Sequence, residues 1–423
     1  MSFAKYAQYR GSGVEWLGDV PAHWDISPFK RIVDIQNGAD HKHVEVNEGI
    51  PVIGSGGQFA YASDFLYEGE SVLLGRKGTI DKPLYVTGKF WTVDTMYWTK
   101  VAADAHGRFA YYSALTIPFG YYSTNTALPS MTKGTLSSHA IALPPLQEQR
   151  AIATFLDRET IKVDALVAEQ QKLIALLKEK RQAIISHAVT KGLDPRAPMK
   201  DSGVEWLGEV PAHWTLRPIK YLVRMQSGGT PSKGNPDFWD GDIPWASAKD
   251  MKVDVLSDTE DHITASAVAS GAASLVPESA LVVVVRGMIL AHTFPVAQLA
   301  RSLSINQDLK ALLPCDAITS GFLAWTLRGL SRETLDRVSE AGHGTCALRM
   351  EDWVSMILPV PPIEEQAEIE HHVVASLRRL DALIGEAQTA TALLKERRTA
   401  LISAAVTGKI DVREAVAVAE EVA

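Results

Sequence analysis

The sequence is poor in cysteine and contains no long hydrophobic run. Only Cys315 and Cys346 occur among 423 residues, which excludes a disulfide framework and is typical of a reducing compartment. No stretch long enough to cross a bilayer, roughly 18 residues, stays apolar, so no membrane-spanning helix is predicted. The opening segment MSFAKYAQYRGSG lacks the apolar core of a signal peptide. We therefore expect a cytoplasmic protein that does not enter a membrane.

The sequence also lacks the common signatures of catalysis. It has no G-x-x-x-x-G-K-[ST] loop for phosphates, no G-x-G-x-x-G between a strand and a helix, and no G-x-S-x-G elbow. Its histidines and two cysteines do not have the spacing of a zinc site. The net charge of −8 argues against a large basic surface, so any nucleic-acid site must be a local basic patch. Together these absences favour a recognition protein over an enzyme.

The most regular element that is present is a long helix between Pro145 and Gly192. Proline suits a first helical turn because its missing N–H has no intrahelical partner there, and glycine suits the position after the last turn. Apolar residues recur on a 4-3 rhythm typical of a coiled-coil seam: Ile152, Leu156, Val163, Leu166, Leu173, Leu177 and Ile184. At ~1.5 Å per residue the helix spans roughly 68 Å, which is more than a compact domain needs.

A second copy of this helix occurs in the second half of the chain. PPLQEQ at 144–149 matches PPIEEQ at 361–366, and LKEKRQAIISHAVT at 177–190 matches LKERRTALISAAVT at 394–407, so the offset is the same at both ends. The second seam falls on Ile369, Val373, Leu380, Leu383, Ala387, Ala390, Leu394 and Leu401. We expect the two equal seams to pair with each other. The alternative is that each helix packs on its own half of the chain.

A second repeated motif precedes each helix. SGVEWLGDVPAHW at 12–24 and SGVEWLGEVPAHW at 202–214 differ at one position. A divergent variable region follows each copy, and the segments SVLLGRKGTI at 71–80 and ALVVVVRGMI at 280–289 occupy corresponding places in the two regions. We call the repeated motifs at 12–24 and 202–214 the markers. The chain is therefore a tandem repeat of a marker, a variable region and a long helix.

The predicted fold class is α+β, with two mixed α/β domains, two long helices and an internal pseudo-twofold repeat. Short strands, turn signals and one or two helices in each variable region indicate a compact mixed domain. The predicted segments are a first variable domain at 1–143, a long helix at 144–191, a linker and second variable domain at 192–360, a second long helix at 361–408, and an acidic, loosely held tail at 409–423.

This organisation resembles the specificity subunit of Type I restriction–modification systems. The likeness is carried by EWLGDVPAHW and EWLGEVPAHW, by LPPLQEQRAIATFLD and VPPIEEQAEIEHHV, and by LKEKRQAIISHAVTKGLD and LKERRTALISAAVTGKID. The stretch GGTPSKGNPDFWDGDIPWASAKDM at 228–251 is also similar to the opening of a common class of target-recognition domain. The likeness covers nearly the whole chain up to the tail.

The resemblance implies a function and a set of partners. The variable regions would be target-recognition domains, each reading one half of a bipartite, asymmetric target in double-stranded DNA. The long helices would pair antiparallel as a spacer, and two methyltransferase (modification) subunits and the restriction subunits would assemble on them. S-adenosylmethionine, ATP and Mg are expected on those partner subunits. This chain would then hold no cofactor, no metal and no catalytic residue.

Candidate DNA contacts follow from the chemistry of base and phosphate recognition. Arg and Lys suit guanine, Asn and Gln suit adenine, and Lys, Arg, Ser, Thr and backbone N–H groups bind phosphates. In the first domain the candidates are Arg76, Lys77, Gly78, Thr79, Ser55, Gly57, Gln58 and Lys133. In the second they are Arg286, Gly287, Thr230, Ser232, Lys233, Ser247, Lys249 and Asn306. The aromatic residues Trp16, Trp24, Trp206, Trp214, Tyr111, Tyr112 and Trp325 are expected to be core anchors.

Two other functions fit the same sequence. One is a protein-interaction scaffold, with two peptide- or subunit-binding modules on a coiled coil and no role at DNA, which the acidic net charge favours. The other is a recognition subunit that acts without a restriction partner.

Overall fold

A computed structural model describes residues 3–122, 129–342 and 344–414. The chain divides into two compact units. The first unit comprises the described residues up to Gln171 and from Gln388 onward, and the second is Lys172–Ala387. Each unit therefore contains one variable region, the first half of one long helix and the second half of the other.

The first unit is built from short strands, short helices and parts of two long helices. Its strands are β1 (Tyr9–Gly11), β2 (Asp19–Pro21), β3 (Asp25–Pro28), β4 (Val33–Asn37), β5 (Glu45–Val46), β6 (Ile50–Gly54), β7 (Gly57–Ala62), β8 (Tyr67–Glu68), β9 (Ser71–Gly75), β10 (Leu84–Val86), β11 (Lys89–Thr92), β12 (Met96–Val101) and β13 (Ala140–Leu143). Its helices are α1 (Gly107–Ala114), α2 (Phe119–Tyr122), α3 (Lys133–Ser138) and the start of α4 (Leu146–Lys191).

The second unit has the same mixture of elements. Its strands are β14 (Met199–Asp201), β15 (Glu209–Pro211), β16 (Thr215–Pro218), β17 (Val223–Ser227), β18 (Trp239–Ala246), β19 (Val255–Leu256), β20 (Asp261–Ile263), β21 (Leu275–Val276), β22 (Leu281–Val284), β23 (Arg286–Gly287), β24 (Val296–Leu299), β25 (Leu303–Ile305), β26 (Leu309–Pro314), β27 (Val338–Glu340), β28 (Cys346–Leu348) and β29 (Ile357–Val360). Its helices are α5 (Ala265–Ala269), α6 (Ser320–Gly329), α7 (Ser331–Leu335), α8 (Met350–Val354) and the start of α9 (Ile363–Val406).

Two sheets form the body of each unit. In the first unit they have the orders β10-β9-β12-β4 and β5-β7-β6-β11-β8, and in the second β17-β26-β22-β24-β19 and β20-β18-β25-β21. The continuous apolar runs of β9 and β22 are buried along their whole length, as expected for inner strands covered on both faces. The mixed α/β fold predicted for each variable region is confirmed.

Both long helices lie within two residues of the predicted segments 144–191 and 361–408, and α9 ends at Val406. Helix α4 starts at Leu146, directly after the double proline, and α9 starts at Ile363 after the second one. Gly192 follows α4 with φ +76°, and Gly408 lies just past the end of α9 with φ +72°. Glycine takes this left-handed conformation without the strain that a Cβ atom would add.

The helices pair antiparallel within the first unit. The start of α4, at Ile152 and Leu156, shares a hydrophobic core with the end of α9, at Leu401 and Val406. Asp164, further along α4, pairs with Arg398, which comes earlier in α9, so the two helices run antiparallel. The seams therefore pair with each other, and the helix ends also pack on the variable region of the same unit.

The same ion pair holds the two helices together in each unit. In the first unit Arg398 Nε lies 2.8 Å from Asp164 Oδ1. In the second unit Arg181 Nε lies 2.9 Å from Asp381 Oδ1. Asp164 corresponds to Asp381, and Arg181 to Arg398, at the offset that relates the two helix copies, so the sequence repeat is also a repeat of contacts.

The predicted seam is not buried along its full length. Members near the start of each helix, such as Ile152 and Ile369, are buried, and Ile184 is half-buried. Leu166, Leu173 and Leu383 are 46%, 43% and 40% exposed. Near the helix ends a variable domain covers the seam in addition to the other helix. The exposed leucines lie further from the helix ends, where two paired helices leave the flanks of a seam residue open to solvent.

The two tryptophans at the end of the markers anchor the variable domains. Trp24 and Trp214 are fully buried, whereas Trp206 is half-buried. Trp16 is 40% exposed, so its assignment to the core was wrong; its ring stacks on His139 near the surface.

The start of the acidic tail is packed and not loose. Val412 is fully buried, and the N–H of Asp411 donates to the carbonyl of Ala4 over 2.8 Å. This corrects the prediction for residues 409–414; residues 415–423 lie outside the described residues. No helix among the described residues is both long enough and apolar enough to cross a bilayer.

Candidate nucleic-acid interface

In the first unit a pair of parallel strands brings two candidate loops together. Strands β6 and β11 run parallel, with Thr92 beside Ile53. The carbonyl of Ile53 accepts from the Thr92 hydroxyl at 2.9 Å and from the Val93 N–H at 3.4 Å. Because both strands end at this edge, the hairpin tip at Ser55 lies next to the turn that follows β11.

That turn, Val93–Met96, is fixed by an internal hydrogen bond and by close packing against Gly38. The N–H of Met96 donates to the carbonyl of Val93 at 3.0 Å, which closes the turn. Gly38 packs so tightly on it that an added Cβ atom would overlap the Val93 carbonyl oxygen. Asp94, at the second position of the turn, is exposed.

The cationic loop predicted at 75–79 lies on this turn. The N–H groups of Arg76 and Lys77 both donate to the carbonyl of Thr95, at 2.9 and 3.2 Å. The guanidinium of half-buried Arg76 donates to the carbonyl of Asp94 at 3.3 Å and lies 5.9 Å from the ring centre of Tyr97. Lys77, in contrast, is exposed.

A third segment completes the site in the first unit. Gly78 N–H donates to the carbonyl of Pro129 at 3.0 Å, and Met131 N–H donates to the carbonyl of Arg76 at 2.9 Å. Exposed Lys133 then begins helix α3. The structure therefore brings the candidates of the first domain to one edge: Arg76, Lys77, Gly78, Thr79, Ser55, Gly57, Gln58 and Lys133.

The second unit repeats this arrangement from different residues. Strands β18 and β25 run parallel, with Ala246 beside Ile305. The N–H of Asn306 donates to the carbonyl of Ala246 at 2.9 Å, and the N–H of Leu309 closes a turn on the Asn306 carbonyl at 3.3 Å. Ser247 follows β18 at the same edge.

Arg286 occupies the position that Lys77 has in the first unit. The N–H groups of Val285 and Arg286 donate to the carbonyl of Asp308 at 2.9 and 3.3 Å, as those of Arg76 and Lys77 do to Thr95. Arg286 is exposed, and Gly287, which follows it, corresponds to Gly78. The shared hydrogen-bond pattern establishes this register independently of the weak sequence similarity.

Several residues of this site were missed at the sequence level. Exposed Gln307 accepts a hydrogen bond from the hydroxyl of Thr230. Lys310 donates to the hydroxyl of Ser227. The polar run Asn-Gln-Asp directly after the apolar strand β25 is a signal that could have revealed this turn, since it combines turn formers with base-reading side chains.

Other candidates have partners inside the unit. Asn306 is 7% exposed, and its side-chain oxygen accepts from Asp308 N–H at 3.0 Å, so it shapes the turn. Lys249 lies 3.0 Å from Glu260 and 2.9 Å from Asp261, and the hydrogen bond that it donates to Asp261 is the main cause of its raised pKa. These two carboxylates balance the charge of Lys249 and leave it less attraction for a phosphate.

The rest of the second loop cluster is polar and open. Ser232 and Lys233 are exposed, and the Ser232 carbonyl accepts from the Trp239 indole N–H at 3.1 Å. The Ser247 hydroxyl donates to Asp250 at 3.0 Å. Among the described residues, no group of three or more His, Cys, Asp or Glu side chains could hold a metal ion.

Each edge thus combines an exposed cation with an exposed polar turn. Cations and hydroxyls bind phosphates, and amide or carboxylate groups on a rigid turn suit base edges.

Comparison with known proteins agrees with this arrangement. Residues 21–175 match the family described as the Type I restriction modification DNA specificity domain. A 173-residue stretch is 32% identical to the Type I restriction enzyme EcoR124I/EcoR124II specificity subunit of Escherichia coli, and covers 40% of each chain. A 166-residue stretch is 26% identical to the MjaIX specificity subunit of Methanocaldococcus jannaschii, and covers 38% of each. The matched stretch thus spans less than half the length of these relatives.

One solved chain shares the fold over most of its length. It comes from work on complex assembly and conformational transition of the type I R-M system, and it matches with a TM-score of 0.68 at 14% identity. The match covers 92% of this chain and 98% of that one. The comparisons confirm the resemblance to Type I specificity subunits that the repeated motifs indicated.

Proposed function

We propose that this chain, which carries a Type I restriction–modification DNA specificity domain, is the DNA-recognition subunit of a Type I complex. Each unit reads one half of a bipartite target in double-stranded DNA. The observation that carries the proposal is the repetition of one polar edge in both units, with Lys77 and Arg286 at equivalent places on equivalent turns. The side chains on the two turns differ, so the two half-sequences differ and the target is asymmetric.

The proposal also assigns the catalytic steps of the complex to other subunits. Methylation and cleavage belong to partner subunits, which hold S-adenosylmethionine, ATP and Mg, because the sequence lacks a cofactor loop and the described residues of each edge suit recognition. Because the net charge of the chain is −8, strong non-specific affinity for DNA depends on the assembled complex.

Two methyltransferase subunits dock on the long helices at positions that the repeat makes equivalent. Leu166 and Leu393 are 46% and 59% exposed on the helices of the first unit. Leu383 and Leu176, at the matching positions of the other helix copy, are 40% and 52% exposed in the second. Exposed leucines at equivalent places support two copies of one partner, because apolar side chains on a surface mark contact sites.

Selection of DNA by the complete complex tests the function. The full-length chain, assembled with its methyltransferase partner, is presented with duplexes randomised over about 20 base pairs, and bound duplexes are sequenced. We expect two short, unrelated half-sequences at one fixed spacing. Selection of a single short motif without a spacing requirement would contradict the bipartite target.

A control separates DNA recognition from the scaffold alternative. Binding of the same complex to the selected duplex is measured between 50 and 200 mM salt. A DNA reader that contacts several phosphates loses affinity steeply over this range. A complex that assembles fully, yet selects no sequence and shows no salt-dependent binding, would favour the protein-interaction scaffold.

A further inference from the structure

The turns Val93–Met96 and Asn306–Leu309 are structurally equivalent in the two units. Each is closed by one hydrogen bond between its first carbonyl and its fourth N–H, of 3.0 and 3.3 Å. Each accepts two consecutive N–H groups, from Arg76 and Lys77 or from Val285 and Arg286, on the carbonyl of its third residue. The second residue is Asp94 in one turn and Gln307 in the other, and both are exposed.

We infer that Asp94 and Gln307 each read one base pair, at equivalent places in the two half-sites, and that their difference helps to make the half-sites unequal. The inference rests on the proposed DNA-recognition function and deepens it. A carboxylate accepts from the exocyclic amino group of cytosine, whereas a glutamine amide pairs with the N6 and N7 positions of adenine. Asp94 therefore selects a C·G pair and Gln307 an A·T pair.

Both turns are rigid, which readout of a base edge requires. Gly38 and Gly228 lie directly against them, and an added Cβ on either would overlap the carbonyl oxygen of Val93 or Asn306. In the second turn the Asn306 side chain also accepts from Asp308 N–H at 3.0 Å. A turn that is already fixed loses little backbone entropy when its side chain binds, and it holds that side chain at a defined place relative to the base edge.

The Gln307 amide is oriented before DNA arrives. The Thr230 hydroxyl donates to its Oε1. With this hydrogen bond in place, the second lone pair of Oε1 is free to accept and Nε2 is directed away from Thr230. Thr230 is thus a positioning residue for Gln307, and the two residues come from loops that are distant in the sequence.

Cations flank both reading positions. Lys77 and Arg286 are exposed, and their backbone N–H groups bond to the third residue of the two turns. Within the described ranges, no carboxylate forms an ion pair with either side chain. Lys310 lies beside the second turn and donates to Ser227. Phosphate contacts from these cations fix the register of the duplex, and the turn residue then meets a base edge.

Exchange of the two side chains tests the inference. Asp94→Gln and Gln307→Asp are made separately in the full-length chain, and each complex with the methyltransferase partner selects duplexes randomised in both halves. We expect Asp94→Gln to shift one position of the first half-site from C·G towards A·T, and Gln307→Asp to do the reverse in the second. The discrimination at that position should change by roughly 5- to 150-fold, with the other half-site unaltered.

Matched controls exclude effects on folding or general affinity. Lys77→Ala and Arg286→Ala should weaken binding to all selected sequences alike, without altering a base preference. Each should also reduce the slope of log affinity against log salt concentration by about one. Thr230→Val should weaken the base preference at the position that Gln307 reads. Thr230→Ser keeps the hydroxyl and should therefore keep that base preference.

The outcomes are distinct. If both exchanged complexes select the unmodified half-sequences, or lose affinity equally for all duplexes, the inference is overturned while the proposed function stands. If the unmodified complex selects no bipartite sequence, the proposed function fails and the inference fails with it.

Discussion

The indole N–H of Trp24 donates a hydrogen bond to Glu148 over 3.0 Å, where the marker meets the first turn of the long helix α4. Trp214 and Glu365 repeat the bond at 3.0 Å in the second unit. In each unit the repeated marker and the repeated helix start are therefore joined by the same contact, which is buried in the first unit and part-buried in the second. This explains why both motifs are nearly identical while the sequence between them diverges.

Loss of that contact should destabilise one unit. Trp24→Phe removes the N–H donor to Glu148, which is 9% exposed, so a carboxylate oxygen loses a partner inside the protein. We expect the first unit to lose roughly 1–3 kcal/mol, measured by hydrogen exchange at the start of α4. Trp16→Phe is the control, because the Trp16 indole donates to the carbonyl of Ala140 near the surface. This change should lower the stability of the first unit by clearly less than Trp24→Phe. Equal effects of the two changes would refute the assignment.

The glycines at the helix ends should differ in their tolerance to alanine. Both have positive φ, which costs about 1–2 kcal/mol for any residue with a Cβ. A Cβ on Gly408 would also overlap the Pro21 ring and lie 3.1 Å from Trp24, whereas one on Gly192 lies 3.2 Å from Trp214. Thermal unfolding should therefore show a larger loss for Gly408→Ala than for Gly192→Ala. The reverse order would show that the second helix end relaxes freely.

The first unit should lose stability in mild acid because of His139. Burial lowers the pKa of this imidazole to about 4, against about 6.5 in an unfolded chain. Between these values the unfolded chain binds more protons, so the free energy of unfolding falls as the pH drops from about 6.5 to about 4, by at most roughly 3 kcal/mol. His139→Met, which installs the residue found at the equivalent Met356, should flatten this part of the pH profile of the first unit. A profile that keeps its slope in that variant would assign the effect to other groups.

The repeated leucine pairs should control how many methyltransferase subunits bind. The double variant Leu166→Asp with Leu393→Asp should remove one copy, and Leu383→Asp with Leu176→Asp should remove one copy as well. Native mass spectrometry of the assembled complex reports the count directly. If either double variant still binds two copies, the docking surface lies elsewhere. Val374→Asp, on an exposed residue outside both pairs, is the matched control.

The length of the helices should set the spacing between the half-sites. Seven residues inserted between Glu169 and Lys180, and seven at the matched place in α9, keep the seam in phase because seven residues complete two helical turns of the repeat. We expect the selected duplexes to change in spacer length and not in either half-sequence. A change in the half-sequences would show that the insertion distorted the recognition edges.

Local patterns explain why the helices could be predicted so closely. Prolines before Leu146 and Ile363 and glycines near the ends act within one turn of the chain, and the 4-3 spacing of apolar residues acts within a few turns. The repeated marker located both buried tryptophans in the same way. Burial of the seam was less predictable, because exposure of Leu166 and Leu383 depends on what lies beside each helix.

The recognition edges depend on contacts between distant segments. The amino-acid pattern was enough to show that Lys77 and Arg286 are cations after apolar runs, and that the chain is a tandem repeat. The folded chain was needed to show that Asn306 is buried, that Lys249 is matched by two carboxylates, and that Gln307 is exposed and oriented by Thr230. A repeat or an apolar run is visible in the order of residues, because it acts along the chain. The exposure of a loop side chain instead depends on which strands end beside it, and the strands that meet at each edge come from separate parts of the variable region.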